Sequence, residues 1–122
     1  MRRRSFSAAL VATALGGPAP LHPARAAQPV PVGLIAILSG PNAAYGIAIR
    51  AGAELALASI NAKAARPIAL IVEDSGGTKD GAINAARKLI GRDKVVAIMG
   101  PTLSNEMFAV GPIANGRGIP AI

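Results

Sequence analysis

The sequence predicts an α/β fold, a Rossmann-like parallel sheet in three layers built in the order βαβαβα. Short, almost wholly apolar runs recur at residues 32–38, 68–72 and 95–99, the pattern of strands buried on both faces of a parallel sheet. Longer segments with apolar residues at helical spacing separate them, and Gly, Pro, Asn or Ser clusters mark the junctions. Such alternation gives right-handed crossovers with helices on both faces of the sheet.

The first strand, residues 32–38 (V-G-L-I-A-I-L), is broken by Ser39-Gly40-Pro41-Asn42. Residues 44–62 then read as a helix, with Ala48, Ala51, Leu55, Ala58 and Ala62 on its apolar side and Arg50, Glu54 and Asn61 elsewhere. Small residues, Gly52 among them, would let this helix lie close on the sheet. Pro67 marks a boundary before the second strand, residues 68–72, which Glu73-Asp74-Ser75-Gly76-Gly77 closes. Residues 78–90 form the next helix: Thr78 can cap it, Ala82, Ala85, Ala86, Leu89 and Ile90 give its apolar face, and Gly91 ends it. The third strand, residues 95–99, leads to a helix over 104–115. Gly116-Arg117-Gly118 stops that helix, and residues 119–122 begin a fourth strand.

With 122 residues and 52% apolar composition, the chain suits one ordinary domain and is not a disordered segment. There is no cysteine, and the single histidine, His22, falls in a leader-like N-terminus. Beyond that leader no Ser-His-Asp triad, Cys-His pair or usual zinc site can be assembled, which argues against an enzyme and against a metal or other cofactor. The net charge of +7 is less suggestive of nucleic acid than it looks, because Arg2, Arg3, Arg4 and Arg25 belong to the leader. The remainder holds nine basic and six acidic residues, scattered singly or in pairs, and only Tyr45 and Phe108 as aromatics. Neither a basic stripe nor a base-stacking platform is visible, so no nucleic-acid partner is expected.

Residues 1–26 have a basic start, an apolar run from about Phe6 to Leu15, and a tail ending Ala24-Arg25-Ala26. This is the pattern of a secretory signal peptide with an A-x-A cleavage site. The apolar run falls well short of the roughly 20 residues a membrane span needs, so export rather than anchoring is expected. Arg3-Arg4-Ser5-Phe6 matches the centre of a twin-arginine signal, while Arg2 and Ser7-Ala8 depart from it, leaving the general secretory and twin-arginine routes both open.

In sheets of this kind ligands bind beyond the carboxyl ends of the strands, which points to residues 39–45, 73–78 and 100–105. Residues 40–46 lack the glycine spacing and lysine of a phosphate loop, and no G-x-G-x-x-G follows the first strand. Glu73 and Asp74 have the chemistry for a divalent cation, but adjacent strand residues point to opposite sides, which suits a solvated strand end better. The third loop delivers Thr102, Leu103, Ser104 and Asn105 to a helix start. Free N–H groups and the positive dipole end there favour an anion, held further by a hydroxyl such as that of Ser104. The competing reading is that Thr102 or Ser104 caps its own helix. Tyr45, the only tyrosine, stands beside a Gly-Pro turn at the same end, and either faces a ligand or packs on the rim of its own domain.

Several segments in order resemble one family. Gly33-Leu34 through Ser39-Gly40-Pro41, Ala44-Tyr45-Gly46, Ala51-Gly52-Ala53 and Ile60-Asn61-Ala62 are followed by Glu73-Asp74 with its Gly-rich turn and by Ala85-Ala86-Arg87-Lys88-Leu89-Ile90. Asp93-Lys94-Val95, Ile98-Met99-Gly100-Pro101, Ser104, Pro112-Ile113-Ala114 and Gly118-Ile119-Pro120 complete the pattern. Together they resemble the opening of bacterial branched-chain amino acid binding proteins, the periplasmic solute-binding subunits of ABC transporters with a type I binding-protein fold. The resemblance implies that Ser104, with the N–H groups of its helix start, holds a ligand carboxylate. It also implies that Tyr45 touches the ligand's side chain. Thr102 and Asn105, at the same strand-to-helix turn as Ser104, complete the expected ligand-binding set. It implies residues 27–122 as the N-terminal part of lobe I of a leucine-binding domain, cut off at Ile122 before the second lobe.

The function expected on this basis is that of an exported, periplasmic binding protein, monomeric when full length. It would present branched-chain amino acids or related small carboxylates or amides to an ABC permease in the inner membrane. An exported ligand-sensing receptor domain of the same fold is the alternative, and a small α/β enzyme a more distant one. Departures from the family, Ala64-Ala65-Arg66 in place of the usual glycines and the less hydroxyl-rich Leu103-Ser104-Asn105, bear on which ligand is bound.

Overall fold

The computed structural model describes residues 27–122; the expected signal peptide, residues 1–26, lies outside the described residues. The elements run β1 (Val30–Ala36), α1 (Ala43–Asn61), β2 (Ile68–Asp74), α2 (Lys79–Gly91), β3 (Ile98–Met99) and α3 (Ser104–Asn115). The expected βαβαβα order is therefore the one observed. All pairings are parallel, in the order β2-β1-β3, with Val30 opposite Ile68 and Gly33 opposite Ile98. Ala121 adds a parallel bridge to Ile98, and Ile98 N–H donates to the Pro120 carbonyl at 2.9 Å, so the last residues lie where a fourth strand would start.

The first strand begins and ends two residues earlier than its apolar run suggests. Pro31 is accommodated at its start, and its carbonyl accepts from Val96 N–H at 2.9 Å. At the other end Leu38 N–H is taken by the Asp74 side chain at 2.8 Å instead of by a neighbouring strand. Asp74 also closes β2, which extends two residues past the expected end.

Helix α2 follows the sequence pattern closely. Thr78 Oγ1 accepts from Gly81 N–H at 3.0 Å, and Ala82, Ala85, Ala86, Leu89 and Ile90 are all buried. They meet Ile35, Val95 and Ile98 of the sheet side and Val110 and Ala114 of α3 in one apolar core. The helix runs through Gly91, with Arg92 as its C-cap.

Helix α1 covers the other face and turns differently from expectation. Ala48, Ala51, Leu55, Ala58 and Ala62 are exposed; the residues turned toward the sheet are Gly46, Ala53, Leu57 and Asn61. Gly52 is not the contact point, having open space around it, whereas a Cβ on Gly46 would lie 2.0 Å from the Ile37 carbonyl oxygen. Only glycine permits that approach. At the far end Asn61 exchanges two hydrogen bonds with the backbone of Ile68, at 2.9 and 2.8 Å. Two fixed ends, more than side-chain packing, set the helix's position.

Candidate functional site

The loops that follow β1, β2 and β3 gather at the carboxyl end of the sheet, and a single carboxylate ties two of them together. Asp74 accepts from Leu38 N–H at 2.8 Å and from Gly76 N–H at 2.7 Å. The hydroxyl of Ser39 beside it is the main cause that holds its carboxyl below the ordinary 3.8; desolvation opposes this, and the backbone N–H groups of Leu38 and Gly76 add to it. Glu73 goes elsewhere, forming an ion pair with Lys88 of α2. Neither carboxylate is thus simply a solvated strand end: one braces two loops, and the other ties β2 to α2. No group of three or more His, Cys, Asp or Glu side chains suited to a metal occurs among the described residues.

The loop after β3 is bent sharply against the sheet. Gly100 has φ near 82°, and a Cβ there would come within 2.4 Å of the Ile35 carbonyl oxygen, so the turn requires glycine. Pro101 is buried behind it. Leu103, not a hydroxyl residue, occupies the N-cap of α3, with no side-chain cap bond. Capping comes from the other direction, since the buried Glu106 reaches back to accept from Leu103 N–H at 3.4 Å. Thr102 and Ser104 are therefore not spent on their own helix. The Oγ1 atom of Thr102 is buried without a hydrogen-bond partner among the described residues, a costly state for a hydroxyl that a ligand would relieve. The N–H groups of Ser104 and Asn105 belong to the first turn, where no intrahelical carbonyl is available.

Thr102 and Ser104 line one concavity of about 380 Å³ with Pro101, Leu103, Met107 and Phe108. A second of about 340 Å³, which shares Pro101 and Thr102 with the first, is walled by Leu34, Ile49, Met99 and Ile122. The structure thus brings Thr102 and Ser104 together. Asn105 is exposed next to them, with its Oδ1 accepting from Glu106 N–H at 3.0 Å. Tyr45 stands on the first turn of α1 at the same end of the sheet, 67% exposed, and lines neither concavity. Leu103, Met107 and Phe108 form an apolar wall that the sequence analysis does not single out. For Met107 and Phe108 the signal was present, because positions three and four residues after Ser104 share its side of the helix.

A family model described as "Periplasmic binding protein" matches residues 29–122. The chain belongs to that family. Among curated proteins, the Leu/Ile/Val-binding protein BraC3 of Rhizobium johnstonii is 31% identical over 98% of this chain. Among solved structures, an ABC transporter substrate-binding protein from Sphaerobacter thermophilus is 40% identical over 76% of the chain, with a TM-score of 0.72. The branched-chain amino acid transporter substrate-binding protein LivJ from Streptococcus pneumoniae, solved with isoleucine, is 30% identical over 76% of the chain, with a TM-score of 0.73. The chain spans 31% of BraC3, and 25% and 28% of these two structures. The expected family and the type I periplasmic binding fold are therefore both shown, the described residues being a partial domain of it. The family is one of exported, periplasmic proteins, and the relatives named here are binding proteins.

Proposed function

We propose that this chain supplies one wall of the ligand site in the solute-binding component of an ABC transporter, and that the ligand is a branched-chain amino acid or a related small carboxylate or amide. Its partner on this reading is a permease in the inner membrane, and residues 27–122 are the N-terminal part of lobe I. The observation that carries the reading is the start of α3, where the Ser104 hydroxyl does not cap the helix and Thr102 Oγ1 is buried without a partner among the described residues.

A ligand carboxylate placed there would accept from the N–H groups of Ser104 and Asn105 and from the two hydroxyls, with the dipole of α3 favouring its charge. Leu103 and Met107 offer an apolar surface for the ligand body. Tyr45 would approach from α1, and Asn105 would contribute its backbone more than its side chain. Relatives about three times as long trap ligands between two lobes on this reading, so a hinge-closing second jaw is needed for tight binding.

Calorimetric titration of the intact exported protein with L-leucine, L-isoleucine and L-valine tests this. The expected result is binding that Ser104→Ala weakens about tenfold or more, the usual cost of losing a hydrogen bond to a charged group. Binding indifferent to Ser104→Ala and Thr102→Val together would place the site elsewhere. The 122-residue chain by itself should bind these ligands far more feebly than the intact protein.

A further inference from the structure

Scattered along the sequence, six of the nine basic residues in the described chain are collected by the fold at one end. Lys63 and Arg66 lie in the turn between α1 and β2, Arg92 and Lys94 in the turn between α2 and β3, and Arg117 follows α3. Parallel crossovers bring all three of these turns to the starting end of the strands, opposite the candidate ligand site. Arg87, near the end of α2, joins them: it and Arg117 border one cleft of about 220 Å³ floored by Ile90, Gly91 and Ile113. All six cations are exposed. Among the described residues only Arg92 of the six is in an ion pair, with its neighbour Asp93, the one acidic residue in these turns. The described acidic side chains otherwise lie at the ligand end or along the helices and strands.

We propose that this end of the domain docks on an anionic phospholipid surface. Cations close to a helix C-terminus also offset the helix dipole, but that effect fades within one turn and does not bring Arg87 and Arg117 to a shared cleft. Two guanidinium groups flanking one concavity suit phosphate oxygens, which arginine binds in bidentate fashion. The aromatic side chains that would stack bases or anchor a protein partner, Tyr45 and Phe108, stand near the opposite end. A periplasmic protein meets anionic headgroups at the membrane where its transporter sits, and docking by this end would leave the ligand end free.

Vesicle co-sedimentation tests the proposal, using the full chain in a background of Arg2→Gln, Arg3→Gln, Arg4→Gln and Arg25→Gln so that the leader's charge does not contribute. The expected result is partition onto phosphatidylcholine vesicles containing about one-third phosphatidylglycerol, suppressed by salt and absent on pure phosphatidylcholine. Arg87→Gln and Arg117→Gln should each weaken it about fivefold, with unchanged circular dichroism. Lys79→Gln, at the opposite end, should leave it unchanged. Equal partition onto neutral and anionic vesicles would overturn the proposal. So would an effect of Lys79→Gln as large as that of Arg87→Gln, or binding to soluble polyglutamate with none to vesicles.

Discussion

On one face of the sheet Ile35 and Ile98 meet Ala82, Ala86 and Leu89 of α2 and Val110 of α3, all buried. On the other, Val32, Ile68 and Leu70 meet Ala53 and Leu57 of α1, only half-buried, around a cavity of about 190 Å³ lined entirely by apolar side chains. The two faces have strands in common and differ in their helices. Helix α2 segregates its apolar residues onto one stripe, so burying that stripe also leaves Arg87 and Asn84 in water. Helix α1 is apolar nearly all round, its charges confined to the Arg50–Glu54 pair, and leaves Leu55 76% and Ile47 55% exposed. A helix is located by contrast between its sides more than by total hydrophobicity. Where contrast is absent, close backbone approach and specific hydrogen bonds take over, as Gly46 and Asn61 do here.

The two faces differ most at Leu89. Leu89→Ala should lower the unfolding free energy by about 2–5 kcal/mol, the range for a fully buried leucine, while Leu57→Ala on the α1 face costs about 1 kcal/mol or less because a void already adjoins it. Denaturant titrations of the two variants check this, and equal losses would erase the distinction between faces.

Gly46→Ala comes next. Its methyl group collides with backbone rather than with a movable side chain, so a loss of about 3 kcal/mol is expected, near the upper end for overpacking. Gly52→Ala, in open space in mid-helix, should instead stabilise by about 0.5–1 kcal/mol. Hydrogen exchange should show faster exchange of α1 in the first variant and slower exchange in the second.

A smaller effect sharpens the contrast. Ala56→Leu, directed into the α1-side cavity, should be neutral or stabilising by about 0.5–1 kcal/mol, whereas Ala86→Leu in the filled core should cost about 1–3 kcal/mol. Thermal melts of the pair read the sign directly.

The smallest expected effect concerns the loop end. The Asp74 carboxyl is held below its ordinary 3.8 in the folded chain, so its contribution is fully present above that pH and is lost as the pH falls through the folded value. Asp74→Asn should therefore flatten the acid limb of stability below about pH 4 and leave the slope near neutrality unchanged. Denaturant midpoints across the acid range test this, and an unaltered acid limb would remove the brace assigned to this side chain.

Much of the candidate site was legible for the same reason as α2. A β-branched run ending at Gly100-Pro101, followed by Thr102 and Ser104, announces hydroxyls at a helix start. Whether those hydroxyls cap the helix was not legible, because that depended on Glu106 reaching back to Leu103 N–H. The position of Tyr45 outside both concavities was equally hidden, since it depends on how α1 is turned against the sheet.

The sequence by itself determined the alternation of strands and helices, the buried stripe of α2, the strand-to-helix turn at residues 100–104 and membership of the periplasmic binding protein family. Each is encoded within a short window, as periodicity, turn chemistry or motif order. Tertiary structure alone decided which side of α1 faces the sheet, that Asp74 braces two loops, and that six separated cations share one end of the domain. Those facts concern residues distant in the chain, brought together by parallel crossovers whose lengths and directions no single window of sequence contains.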